Sequence, residues 1–356
     1  MTYPTLRELV AAIILFVIVL AVIFSSRHNR LYSDSSVRTE APAVLLIDER
    51  IGLEELYQKL DSLHVSVDRD QLMWAGRILG WRNFRPGRYE INENTSFDHL
   101  LSSLARGIQD AGNVIVHSGI DKATFSQRLS RQLHADSAAI AAQFDDSSAV
   151  AIELGLTGEE LFGRMLPNTY QMYWTSSPEN VVRRIHREFN QRVANQMSGQ
   201  IEESQFTLNE IVTLASIVDW EARHADEKPR ISGLYINRLN RNMRLQADPT
   251  VLYALGERRR LLFEDYRVDH PYNTYLNDGL PPGPITNPDE ASIRAVLNPE
   301  DHDYLFMVAT PEGNHEFNRT FDEHRESSSQ WRRWLQEQYR IKRQMEREEA
   351  ERAESG

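Results

Sequence analysis

The chain has 356 residues, long enough for two folded units, with 41% apolar and 26% charged residues, a balance that can bury a sizeable core. Its formal net charge of −12 excludes broad nucleic-acid binding, which needs a basic face against phosphates. Cysteine is absent, which excludes disulfides, thiolate catalysis and cysteine-zinc sites.

Residues 9–24, LVAAIILFVIVLAVIF, form an unbroken apolar run. With its flanks the run reaches the length that a bilayer core of about 30 Å requires of a helix. A buried core helix would show a polar face, and a signal peptide would show small residues at its cleavage site; AVIFSSRH shows neither. The reading is an uncleaved single-span anchor over residues 9–26, with residues 1–8 as its cytoplasmic end. Arg27, His28 and Arg30 behind the span would weakly favour keeping the following chain inside.

Residues 27–42 are polar and aperiodic and read as a linker. Residues 43–116 read as a small domain: a strand at VLLI, helices in GLEELYQKLDSLHV and DRDQLMWAGRILGW with Asp68 as N-cap, and a strand in RPGRYEI. That strand-helix-helix-strand order resembles a LysM-like module; a spacer without a ligand accounts for it equally well. A further helix is expected in SFDHLLSSLARG and a strand at NVIV. Helices are then expected over 121–134, 137–144 and 178–197. LFGRMLPNTYQMYW, at 161–174, reads either as a core-packing loop or as the wall of a sugar site.

Thr207 and Glu210 make a T-x-x-E capping box that opens a helix through IVTLASIVDWEA, residues 211–222. At 100° per residue the aliphatic side chains cover a wide arc, opposite Asn209, Thr213, Ser216 and Trp220. Glu221 falls inside the apolar arc. Burial would make such a carboxylate harder to ionise and suit it to general-acid work; an ion pair with Arg244 is the structural alternative. Downstream, Asp248 followed by Pro249 reads as a helix N-cap, whereas Gln246 has no local explanation and is a candidate ligand contact. Tyr272, Asn273 and Tyr275 offer the rings and amides that sugars favour, beside the turn-rich GLPPGPI. His315 and His324 are too dispersed to suggest a metal site, and no cofactor is expected. Residues 336–356 read as a solvated helix fraying into a charged tail.

ASIVDWEA, INRLNRNMRLQADPTVLYALG, PYNTYLNDGLPPGPITNP, a YLFMVA strand and the H-x-F of NHEFNRTFDEH follow one another in an order and spacing that resemble the endolytic murein transglycosylase (MltG, YceG-like) family. The resemblance is dense over 214–324. It implies an α+β protein with one transmembrane helix, a small LysM-like domain and a larger mixed α/β catalytic domain over 117–335. It also implies a place in the bacterial cytoplasmic (inner) membrane, with the catalytic domain on the outer side against the weak charge bias.

The family glutamate of A-S-I-V-x-x-E falls on Glu221, and Asp219 on a variable position. The implied chemistry is endolytic cleavage of the MurNAc-GlcNAc bond of peptidoglycan glycan strands to 1,6-anhydro ends, with Glu221 as acid and then base. Gln246, Asp248, Asn273 and Tyr275 are the expected substrate-binding residues. Penicillin-binding proteins or other cell-wall synthases are the implied neighbours. The sequence departs from the family at 161–170, where only PNTY of an E-G-x-x-x-P-[DN]-T-Y arrangement is kept. A hydrolase using Glu221 with Asp248, or a peptidoglycan-binding scaffold without activity, are the alternatives.

Overall fold

A computed structural model describes residues 5–355. The chain divides into two compact units. One comprises the chain up to Val114 with Gln132–His134 and Gln171–Ser176; the other comprises Ile115–Arg131, Ala135–Tyr170 and everything from Ser177 onward.

The first unit begins with α1 (Leu6–Tyr32), whose side chains are exposed until Leu31 enters the unit's core and Arg30 stacks over Trp74. Its length and composition are compatible with a single-pass membrane anchor. Next come β1 (Val37–Arg38), β2 (Ala43–Ile47), β3 (Ile51–Gly52), α2 (Leu53–Ser62), β4 (Ser66–Val67), α3 (Arg69–Leu79), β5 (Asn83–Phe84), β6 (Gly87–Ile91), β7 (Asn94–Thr95) and α4 (Phe97–Arg106). β2 and β6 pair antiparallel, with Leu45 opposite Tyr89. Alternation along both strands sends Leu45, Ile47, Tyr89 and Ile91 inward, against Leu56 and Leu60 of α2, Leu72 of α3 and Leu101 and Leu104 of α4. α3 lies close on α2 because residue 76 is glycine: a Cβ there would sit 2.5 Å from Leu53 Cδ1. Asp68 caps α3, its side chain accepting from the Gln71 amide at 2.8 Å.

The polar stretch expected as a linker, 27–42, is instead structured. α1 continues to Tyr32, and β1 is the middle strand of an antiparallel sheet with β4 and β7. Val37 is completely buried and pairs with Val67 and Thr95, partners too distant in sequence for local patterning to reveal.

β8 (Gly112–Val116) carries the chain into the second unit, which continues with α5 (Lys122–Ser130), α6 (Ser137–Ala141), α7 (Ala149–Leu154), α8 (Gly158–Gly163) and the start of β9 (Asn168–Met172), whose last two residues belong to the first unit. There follow α9 (Pro178–Phe189), α10 (Ser198–Glu203), α11 (Leu208–Glu221), α12 (Lys228–Asn240), α13 (Asp248–Leu255), α14 (Glu290–Leu297), the hairpin of β10 (Phe306–Ala309) and β11 (His315–Asn318), and α15 (Phe321–Ser355). The helix expected over 178–197 widens into i→i+5 turns at Asn190–Asn195, and the one expected over 121–134 stops at Ser130. α15 is unbroken from Phe321, so the tail expected from 336 begins inside a helix.

α11 is the axis of this unit. Every residue from Ile211 to Val218 is buried, including Thr213 and Ser216, which the projection put on a polar face. The GLPPGPI loop covers that face: Ser216 Oγ accepts the Ile285 amide at 3.0 Å and donates to the Thr213 carbonyl at 2.7 Å. α8 closes against the same region because residue 163 is glycine, where a Cβ would meet Pro284 at 2.4 Å and Val212 at 3.0 Å. Buried hydroxyls are tolerated here because each finds a backbone partner.

Candidate active site

α11 delivers Glu221 as its last residue. The capping box at the other end is present as expected, with Glu210 accepting the Thr207 amide at 2.8 Å, which accounts for Glu210 and leaves Glu221 unexplained by helix chemistry. The end of α11 is locked by a buried ion cluster. Lys228 Nζ lies 2.8 Å from both Asp219 Oδ1 and Asp289 Oδ2, and Ser292 Oγ donates to Asp219 at 2.8 Å. Asp219 thus joins α11 to α12 and α14, a structural role.

Two residues further on, Glu221 is only partly buried and opens into a cavity of about 410 Å³. α12 supplies Leu234, Tyr235 and Arg238; the segment entering α13 supplies Leu245, Gln246 and Asp248. Tyr275 comes from the following loop, Phe306, Met307, Ala309 and His315 from the hairpin, and Phe321 and His324 from the start of α15. Arg238 ties three of these walls together. Its Nε donates to the Leu305 carbonyl at 2.6 Å and its Nη1 to the Leu245 carbonyl at 2.7 Å, while its plane covers Phe306.

The Tyr235 hydroxyl donates to Glu221 Oε1 at 3.1 Å. No cation pairs with Glu221 among the described residues; Arg244, its alternative partner from the sequence, binds Asp278 at 2.8 Å. Burial pushes the Glu221 carboxyl up to about 7, the negative charge of Asp248 adds to the shift, and the Tyr235 hydrogen bond opposes it. The position at a helix C-terminus, where the backbone carbonyls present partial negative charge, favours the neutral acid as well. A carboxyl poised there can give up a proton near neutral pH and take it back.

Of the other candidates, Gln246, Asp248 and Tyr275 share this cavity with Glu221. Gln246 is in the left-handed region at φ 49°, held by its amide on the Thr274 carbonyl at 3.2 Å. Asp248 is not the N-cap of α13; Ala247 is, and Asp248 is the first helical residue. Its Oδ1 accepts the Tyr275 hydroxyl at 2.6 Å and its Oδ2 the Tyr266 hydroxyl at 3.4 Å.

Asn273 does not face the cavity. It is fully buried, its carboxamide nitrogen donating to the carbonyls of Tyr266 and Val268 at 3.1 and 2.9 Å and its oxygen accepting the Tyr275 amide at 3.0 Å. It shapes the loop that presents Tyr275. LFGRMLPNTY likewise packs the core, with Leu161, Phe162, Met165, Leu166 and Tyr170 all buried. Tyr235 and Arg238 were not singled out from sequence, although INRLNRNM adjoins the first and contains the second; the hairpin residues lie in the YLFMVA and H-x-F motifs, where His315 was weighed only as a metal ligand.

The model of the YceG-like family matches residues 45–330. The chain belongs to the YceG-like family. A relative named endolytic murein transglycosylase in Bacillus subtilis is 28% identical over 271 residues, 72% of this chain and 75% of that protein. The protein of the same name in Streptococcus pneumoniae is 33% identical over 155 residues, 42% of this chain but 28% of its own length. Among solved structures, a YceG-like protein of Listeria monocytogenes superposes with a TM-score of 0.59 at 26% identity, covering 81% of this chain and 99% of the other. In this YceG-like chain the cavity around Glu221 lies wholly within the matched residues.

Proposed function

We propose that this protein is a membrane-anchored peptidoglycan lytic transglycosylase that cleaves glycan strands internally, with Glu221 as its single acid/base. The observation that carries the reading is a carboxyl raised to about 7, without a cationic partner among the described residues, at the wall of a cavity large enough for sugar. Protonated Glu221 donates to the glycosidic oxygen between N-acetylmuramic acid and N-acetylglucosamine as an oxocarbenium-like state develops. The carboxylate left behind accepts the Tyr235 hydrogen bond and then takes the proton of the muramyl 6-hydroxyl as that oxygen closes the 1,6-anhydro ring. Glycosidases that use water need a second carboxylate; an intramolecular nucleophile removes that need and gains from proximity. Gln246 and Tyr275 orient the sugar in this reading, and Asp248 supports both Tyr275 and the raised proton affinity of Glu221.

Hydrolysis is the second reading, favoured by one observation: Asp248 is a second carboxylate in the same cavity. Digestion of uncrosslinked glycan strands followed by mass spectrometry separates the two. Anhydro-muramoyl ends, lighter by one water, support the lytic reaction, and reducing muramic acid ends overturn it. If Glu221→Gln cleaves as well as the parent, Glu221 is not the acid and both readings built on it fail; if neither the parent nor the variant cleaves, a peptidoglycan-binding scaffold remains.

The substrate places the catalytic unit, 117–335 in our assignment, outside the cytoplasmic membrane, with α1 as the anchor. Carbonate extraction and protease access from the outer side test this; release of the intact chain by carbonate, or protection of the catalytic unit, would overturn it. Residues 43–116, in which α2 and α3 stand between the paired strands β2 and β6, are assigned as a LysM-like module that steadies the strand. Loss of glycan binding on its deletion is the expected result. Work beside penicillin-binding proteins or other cell-wall synthases fits an enzyme acting on nascent strands, and crosslinking in cells would detect it.

A further inference from the structure

The hairpin that closes the cavity carries a histidine whose orientation is set from outside the site. His315 opens β11, and strand alternation turns it and Phe317 to the side opposite Glu316. Behind it stands Glu227, buried at the turn that leads into α12. One carboxylate oxygen of Glu227 accepts the His315 backbone amide at 2.7 Å, and the other faces its Nδ1 at 3.3 Å. A carboxylate has no proton to offer, so Nδ1 carries the hydrogen, and in the neutral imidazole Nε2 keeps its lone pair. His315 lines the cavity with Glu221 and Tyr235, and its Nε2, on the ring edge away from Glu227, has no protein partner among the described residues. A buried carboxylate that fixes both the backbone and the tautomer of a cavity-lining imidazole is more than packing requires.

We propose that His315 is a substrate-contacting residue of the Glu221 cavity, its Nε2 accepting a hydrogen bond from a hydroxyl or acetamido N–H of the bound sugar, and that Glu227 is the residue that positions it. This rests on the reading of the cavity as a glycan site. It adds an acceptor beside the apolar Phe306, Met307 and Ala309 of the hairpin, and so selects for an N-acetylated or hydroxyl-bearing ring at that edge.

Glu227→Gln distinguishes this from a structural role. The amide oxygen must keep facing the His315 backbone N–H, so its NH2 replaces the oxygen opposite Nδ1. Nδ1 then becomes the acceptor and Nε2 the donor, reversing what the sugar meets with almost no change of shape.

The experiment uses the full chain in detergent on uncrosslinked glycan strands, with kcat, KM and melting temperature measured together. His315→Phe keeps ring volume beside Phe317 and is expected to lower kcat/KM about tenfold, the scale of one hydrogen bond to bound sugar. Glu227→Gln is expected to lose a similar factor. The double variant should lose no more than either alone, because the two residues act as one unit. His315→Gln, which can again offer an oxygen to the sugar, should recover part of the loss.

Parent-like kcat/KM in Glu227→Gln, or losses that multiply in the double variant, would overturn the proposal. So would a fall in melting temperature with unchanged kinetics of the folded fraction. Glu221→Gln run alongside separates the two levels. If it still cleaves, the functional reading has failed; if it is dead while His315→Phe and Glu227→Gln behave as the parent, only this inference has.

Discussion

The Tyr235 hydroxyl stands 3.1 Å from Glu221 Oε1, and it is the contact that favours the ionised form of a carboxyl otherwise held neutral by burial and by Asp248. Tyr235 is itself buried, and burial with the neighbouring Glu221 charge keeps its phenol protonated well beyond the usual range. It is therefore a permanent donor, serving the carboxylate that appears when Glu221 has given up its proton.

Tyr235→Phe removes that donor while leaving the ring. The Glu221 pKa should rise further, moving the alkaline fall of activity to higher pH. The plateau rate should drop about three- to tenfold, as one net hydrogen bond to a developing charge is lost. A pH–rate profile of glycan cleavage reads both changes at once.

Asp248→Asn acts in the opposite direction on the same profile. The negative charge of Asp248 raises the Glu221 pKa, so its removal lowers it, and the fraction of Glu221 able to act as acid at neutral pH falls. The alkaline limb, expected near 7 in the parent, should shift to lower pH. An unmoved limb would mean that Asp248 is not felt by the acid.

Glu221 also links stability to pH. Its folded-state pKa is about 7, above an ordinary value of 4.5, so the native state holds a proton that the unfolded chain would release. Its stabilising contribution is complete below about 4.5 and is lost as pH rises through about 7. Glu221→Gln, which cannot ionise, should match the parent near pH 4.5 and exceed it at pH 8 by up to about 3 kcal/mol, at about 1.4 kcal/mol per pKa unit. Denaturant titrations at the two pH values measure the difference.

Lys228→Met should destabilise the fold more than any of the active-site substitutions. Lys228 bridges Asp219 and Asp289 at 2.8 Å each in a buried position, and removing it leaves two carboxylates facing each other without a cation. A loss of about 3–5 kcal/mol is expected, the cost of breaking a buried pair from one side. Simultaneous Asp219→Asn and Asp289→Asn in the Lys228→Met background should recover part of it in thermal melts.

Some of this protein was legible residue by residue. The apolar run within α1, the caps at Asp68 and Thr207, and the anomalous position of Glu221 on an apolar face are local properties, set by a helical period of 3.6 residues and by side chains that reach only the next turn. Other features were decided by residues far apart in the chain. Val37 became a central strand residue because Val67 and Thr95 come to lie on either side of it. Thr213 and Ser216 are both buried on a face that looked polar, Ser216 because the 279–285 loop brings the Ile285 amide to it and Thr213 with its hydroxyl on the Asn209 carbonyl of its own helix. Asn273 carries the groups a sugar ligand would use, yet the carbonyls of Tyr266 and Val268 reach them first. The sequence by itself marked one carboxylate as out of place. Only tertiary packing decided what surrounds it: Tyr235, Asp248 and the His315–Glu227 pair, each delivered by a different element. Hydrogen-bond partners and desolvation depend on what folding brings within a few ångströms, which periodicity along the chain does not encode.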